Sequence, residues 1–245
     1  MMTGPKKRNK KVRNLVVLIR NMVRYNVKII FAQRFGWFVL VAFLVFLLIA
    51  GLKVYDGSPV ETPFIYGALI LPGILMLFYP TVFGIQNDED AGVLEILFGI
   101  PNYRYKVWLV RLVIIYLILY LLLLLFAEIA SVTLYRIRIF EVSAQLMVPM
   151  YFTGMLAFML STIIRSGTGT AVVLVVLGVG MFILGEALYR SFWNVFHNPY
   201  DIPSRMNEAL WHAVTVRNRI FLLSGGTLFL LTGLLNLQKR EKFIR

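Results

Sequence analysis

The residues whose types and spacing could do chemistry fall between Asn87 and Arg111, in the run NDEDAGVLEILFGIPNYRYKVWLVR. Asp88 and Asp90 precede Gly92, Glu95 follows it by one helical turn, and Pro101 closes the segment. Arg104, Lys106 and Arg111 then lead into the next apolar stretch. Acids at a helix start sit where the dipole favours negative charge. Val93, Leu94, Ile96 and Leu97 give the same short helix an apolar side. No Ser-His-acid set or pair of carboxylates suited to acid–base work accompanies them. The chemistry is that of binding: a charged, amphipathic rod calls for a groove on another protein to receive it. A lever is expected here, more than a catalytic site.

Other reactive types are scattered. Glu128 and Glu186 lie inside apolar runs, and an ionisable residue within a membrane marks a substrate path or proton relay until shown otherwise. The bland alternative is an interfacial carboxylate, with Glu186 paired to Arg190 one turn on. His197 and His212 have no evident third ligand, so no metal site is expected. The string Leu223-Ser224-Gly225-Gly226 matches the core of an ABC ATPase signature, but it sits in an apolar run with no phosphate-binding loop anywhere in the chain. Out of that context it reads as small residues for close helix packing, as do Gly167, Gly169, Ala171, Gly178, Gly180 and Gly185.

The elements that must carry these residues follow from composition. The 245 residues are 59% hydrophobic, well above the roughly 45–50% of soluble domains. Six apolar runs are expected to span a bilayer: 37–54, 64–85, 107–134, 144–164, 168–189 and 219–237. The shortest, 18 residues, reaches about 27 Å at 1.5 Å per residue, enough for a bilayer core. The fold class is therefore all-α and polytopic. Pro72-Gly73, Pro80 and Pro149 mark bends that membrane helices tolerate. The chain has no cysteine, which removes disulfides and thiolate metal sites.

Residues 1–10 read as a basic tail, and 12–33 as an amphipathic helix lying in the membrane interface, with Arg13, Arg20, Arg24 and Lys28 opposite an apolar face. Together 1–36 form a cytoplasmic connecting region, 37–237 the membrane domain and 238–245 a basic tail. The segment 190–218, rich in aromatic rings and broken by Pro199 and Pro203, is expected to form two short outer-leaflet helices, the second capped by Ser204. The formal charge of +13 would suggest nucleic acid in a soluble chain. Here it follows the positive-inside rule: with the N-terminus inside, 18 Lys and Arg fall on the cytoplasmic side and 7 outside. Both termini and the Asp88–Arg111 hinge are thus expected in the cytoplasm, with no nucleic-acid partner.

The spacing of Asp88, Asp90, Gly92, Glu95, Pro101, Arg104 and Arg111 resembles the cytoplasmic coupling-helix motif of permease subunits in ABC exporters of the type-2 superfamily. The plan is similar too: an amphipathic connecting helix, six spans and small helices before the last. Two departures stand out, since the acids before the glycine are Asp where the family more often has Glu, and Ala91 and Val93 replace small polar residues. The resemblance implies a permease that pairs with a second permease subunit and takes force from two separate ATPase subunits through a coupling helix over 88–101. ATP and magnesium would be bound by those ATPases and no cofactor by this chain. Export of a lipid-like or other amphiphilic substrate across a bacterial cytoplasmic membrane would be the activity. An ion-coupled carrier using Glu128 and Glu186, and a scaffold that only recruits a soluble partner, are the alternatives.

Overall fold

The computed structural model describes residues 35–90, 104–204 and 206–237, and the side chains of the second stretch from 107 onward. The basic tail 1–10, the amphipathic stretch 12–33 and the tail 238–245 lie outside the described residues, as do Gly92, Glu95 and Pro101 and the side chain of Arg104.

Among the described residues every regular element is a helix. We number them α1 Phe35–Tyr55, α2 Thr62–Val82, α3 Gly84–Asp90, α4 Val110–Thr133, α5 Ile139–Ile164, α6 Gly167–Ala187 and α7 Glu208–Asn236. A π-helical turn, Arg104–Leu109, leads into α4. Six helical stretches are long and apolar enough to cross a membrane, with α2 and α3 together forming the second as Thr62–Asp90. The chain is built as an integral membrane protein. These helices are apolar on nearly all sides, as expected where protein or lipid surrounds them completely.

The order of burial shows where the core sits. The second and fourth spans are the most enclosed, each 56% buried over its most apolar stretch, against 11% for α6. Ile65, Leu69, Met76, Leu119, Leu123, Phe126, Leu146 and Met150 interlock α2, α4 and α5, and Phe46 brings in α1. Glycines allow close approaches between these helices. Gly154 of α5 meets Leu77 and the Tyr116 hydroxyl, and a side chain there would collide with both. On α7, a Cβ at Gly233 would lie 2.7 Å from Phe158. Gly225 and Gly226, from the signature-like string, press in the same way on Phe152 and Tyr151 of α5, so their role in this fold is packing.

Connections place the loops at two ends. Residues 56–61, 134–138 and 188–207 share one end, hereafter the cap end; the turn at Arg165–Ser166 and the passage from Asp90 to Arg104 share the other, the hinge end. Three expectations are corrected. First, the last helix starts at Glu208, eleven residues before 219, and absorbs the expected second short helix. Its cap is Asn207, whose Oδ1 accepts from the Leu210 N–H at 2.8 Å, not Ser204. Hydropathy missed this start because Glu208, His212, Arg217 and Asn218 are polar. Second, among the described residues the rest of the outer segment is a series of turns with no helix. Asn194 accepts from the Phe196 N–H at 2.9 Å and Asn198 from the Tyr200 N–H at 3.1 Å, local bonds that compete with helix formation, and Pro199 removes a donor. Third, Asp88, Glu89 and Asp90 do not open a helix. They lie beyond the first turn of α3, which holds no acid, so the favourable dipole expected for them is absent.

Candidate functional site

At the hinge end, α3 descends from the second span and the π-helical turn rises into the third. Asp88 and Arg111 meet between them: Nη1 of Arg111 donates to Oδ2 of Asp88 at 2.6 Å, and both side chains are 5% exposed. The guanidinium also stacks over Trp108, 4.8 Å from the ring centre. Trp108 is itself buried with Ile85 and Leu112, against Met155, Phe158 and Leu234 of α5 and α7. Gln86 adds a second tie, accepting from the Gly167 N–H at 2.6 Å, so α3 also holds the start of α6. The described stretches on either side of 91–103 are therefore tied to each other by charge.

This arrangement sorts the residues of the hinge motif. Asp88 is turned inward and engaged by Arg111, so it is not offered to a soluble partner; of the two acids before Gly92, only Asp90 is exposed. Arg111, at the start of the third span, clamps Asp88 at the end of the second. A charge buried at this depth must be paired, because an uncompensated one costs several kcal/mol, about 3–5 in measured cases. The sequence held a signal for this pair: opposite charges at the inner edges of two apolar runs that must return side by side.

Glu128 and Glu186 are exposed on the outer faces of α4 and α6, and neither carboxylate makes a hydrogen bond or ion pair among the described residues. The expected Glu186–Arg190 pair is not formed. α6 stops at Ala187 and the chain turns over 188–190, so Arg190 is not one helical turn along.

The cap end holds a polar cluster that sequence reasoning missed. Arg219 of α7 spends its donors on neutral groups: Nε on Gln145 Oε1 at 2.9 Å, Nη1 on Asn218 Oδ1 at 2.9 Å and Nη2 on the Tyr66 hydroxyl at 3.2 Å. That hydroxyl in turn donates to the His197 carbonyl at 3.3 Å. Asn218, fully buried, donates to the carbonyls of Phe192 and Asn194, each at 2.8 Å. His197 lies against Trp211, with ring centres 4.6 Å apart, and its Nε2 is 2.8 Å from the Thr215 hydroxyl. Burial first, and the Arg219 charge second, push the His197 pKa down to about 4. The imidazole is therefore neutral at ordinary pH. Asn198 donates to the Pro63 carbonyl at 2.8 Å, and Tyr200 to Glu141 at 3.3 Å. Burial, reinforced by the Glu141 charge, raises the Tyr200 pKa, so its hydroxyl keeps its proton. The cluster roofs the second, fourth and sixth spans. Arg219, at the head of the final apolar run, was the available clue; its partners came from elements too distant in sequence to be paired by inspection.

The Thr215 hydroxyl meets the His197 imidazole, but both are buried and no acid among the described residues hydrogen-bonds the ring's Nδ1. Among the described residues no group of three or more His, Cys, Asp or Glu could hold a metal ion. Comparison with known protein families, curated proteins and solved structures finds no match to this chain.

Proposed function

We propose that this chain is the permease subunit of an ATP-driven ABC exporter of the type-2 superfamily. It moves a lipid-like or other amphiphilic substrate outward, beside a second permease subunit, with ATP and magnesium bound and hydrolysed by two separate ATPase subunits. The site is a bacterial cytoplasmic membrane, with both termini and segment 88–111 on the ATPase side. The observation that carries the reading is the buried Asp88–Arg111 pair at 2.6 Å. A segment gripped from outside transmits force only if its base is rigid. Here that base joins the ends of two consecutive spans, so a push on 91–103 acts on α2, α3 and α4 together. Asp90, Glu95 and Arg104 supply charge for the grip, Gly92 and Pro101 bound the rod, and Asp88 with Arg111 holds the base.

The pairing with a second subunit draws support from α6. Gly178, Gly180 and Gly185 have nothing within 4 Å of an added Cβ, and small residues open on a membrane helix favour close approach of another helix. The carrier alternative gains nothing from the geometry, since Glu128 and Glu186 stand exposed on separate helices.

The test is purification of the full chain, with its partners, from its own membranes. ATP hydrolysis stimulated by a native lipid extract should accompany it, and Glu95→Lys should abolish that stimulation while leaving thermal stability unchanged. A complex without ATP hydrolysis, or stimulation indifferent to Glu95→Lys, removes the reading.

A further inference from the structure

A cleft of about 630 Å³ opens at the cap end between the start of α2, the turn before α5 and the roof. Thr62, Tyr135, Arg136, Arg138, Glu141 and Tyr200 supply its polar lining. Its volume is in the range that takes a small ligand or headgroup, about 300–1,000 Å³.

Three features make it a site for an anion. The lining carries two guanidinium groups and one carboxylate. Arg138 reaches Glu141 at 3.2 Å, while Arg136 makes no ion pair or hydrogen bond among the described residues. The remaining positive charge is thus uncompensated within the chain. Two helices also begin at this cleft. α2 starts behind Glu61 and α5 behind Arg138, and neither has a side-chain cap on its first N–H groups. Each helix start adds a partial positive charge, which in α5 is answered only by Glu141, the carboxylate an anion would displace. Finally, the Tyr200 hydroxyl already donates to Glu141 at 3.3 Å, so a donor stands ready for an acceptor that displaces that carboxylate.

Position decides the source of the anion. The cleft lies where the spans end, and Val132 and Phe140, within three residues in sequence of its lining residues Tyr135 and Glu141, are 77% and 73% exposed. Apolar side chains that open, adjoining a cationic cleft at the edge of a bilayer, fit a molecule with an acyl portion and an anionic head. We propose that this cleft binds the phosphate of an anionic lipid headgroup, held by Arg136 and by Arg138 in exchange for Glu141. The site stands apart from the ATP-driven reading above, because headgroup binding requires no ATPase.

The test uses the full-length protein in a neutral detergent, titrated calorimetrically with dihexanoyl phosphatidylglycerol, dihexanoyl phosphatidylcholine and inorganic phosphate. Phosphatidylglycerol should bind at least about tenfold more tightly than either of the others. The double variant R136Q/R138Q should lose at least about tenfold in that affinity. Glu141→Gln removes the internal competitor and should tighten binding, a gain that misfolding cannot produce. Unchanged phosphatidylglycerol affinity in R136Q/R138Q, or weaker binding in Glu141→Gln, overturns the site. Inorganic phosphate matching the lipid overturns the lipid assignment in favour of a free anion.

Discussion

The two ends of this bundle solve the same problem by different physics. Each must hold an arginine in a place poor in water. At the hinge end Arg111 faces a carboxylate, with both partners 5% exposed. At the cap end Arg219 is half-buried and faces an amide on α5, an amide on α7 and a phenol on α2. The first arrangement centres on a short Coulombic contact, with the Trp108 ring stacked on the same guanidinium. The second spreads a smaller energy over several elements, each contributing a neutral acceptor. A concentrated joint fixes one pair of elements, α3 against α4; a distributed one ties several elements together loosely.

The comparison is most exposed to failure at Arg111. Arg111→Ala leaves Asp88 buried without its cation and should cost about 3–5 kcal/mol, read as a large fall in thermal stability of the purified protein. Asp88→Asn combined with Arg111→Met removes both charges and should recover most of that loss. If the double variant is as unstable as the single one, shape rather than charge holds the hinge end.

Acid should strain the roof. His197 titrates near 4 in the folded chain and near its ordinary 6.5 when unfolded. Between those values the unfolded state binds the extra proton, so stability falls as pH drops from about 6.5 toward 4 and is untouched above 7. The loss should be on the order of 2 kcal/mol by pH 4.5. Hydrogen exchange measured against pH should show 188–207 opening first, and His197→Asn should flatten that dependence. Equal acid sensitivity in the variant would assign the effect elsewhere.

At the cap, Arg219→Ala should behave more gently than Arg111→Ala. It removes three donors from acceptors that neighbouring groups or water can serve, a loss of about 1–3 kcal/mol. Increased proteolysis confined to 188–207 is the expected readout. A global loss of stability would make Arg219 as central as Arg111 and end the distinction between concentrated and distributed joints.

The two ends also differ in how far they were legible from the sequence. Helix count came directly from hydropathy, because residues such as those of α1 and α4 are apolar on every face and admit no other reading. Boundaries failed where polar residues continue a helix past the apolar run, as over Glu208 to Asn218. The residues of the hinge motif were visible as a set, yet their division was not. Burial of Asp88 depends on the return path of Arg111, which spacing along the chain does not reveal. The roof was the least legible part. Tyr66, Gln145, His197 and Arg219 come from four separate stretches, and each one alone looks like an ordinary interfacial polar residue. Only the packing of α2, α5 and α7 makes them one cluster.

The smallest effects give the sharpest version of the comparison, because each end also has a neutral bond of matching kind. Gln86 accepts from the Gly167 N–H at 2.6 Å on the hinge side, and Asn198 donates to the Pro63 carbonyl at 2.8 Å on the cap side. Both link a half-buried amide to backbone of another element. If charge alone distinguishes the ends, Gln86→Ala and Asn198→Ala should each cost about 1 kcal/mol, and the two losses should agree within experimental scatter. Thermal unfolding of the two single variants, run beside Arg111→Ala, measures this directly. A loss at Gln86 approaching that at Arg111 would mean that the whole hinge end is strained, and that any bond there bears the load. Equal, small losses would leave the charge of the Asp88–Arg111 contact as what sets the hinge end apart.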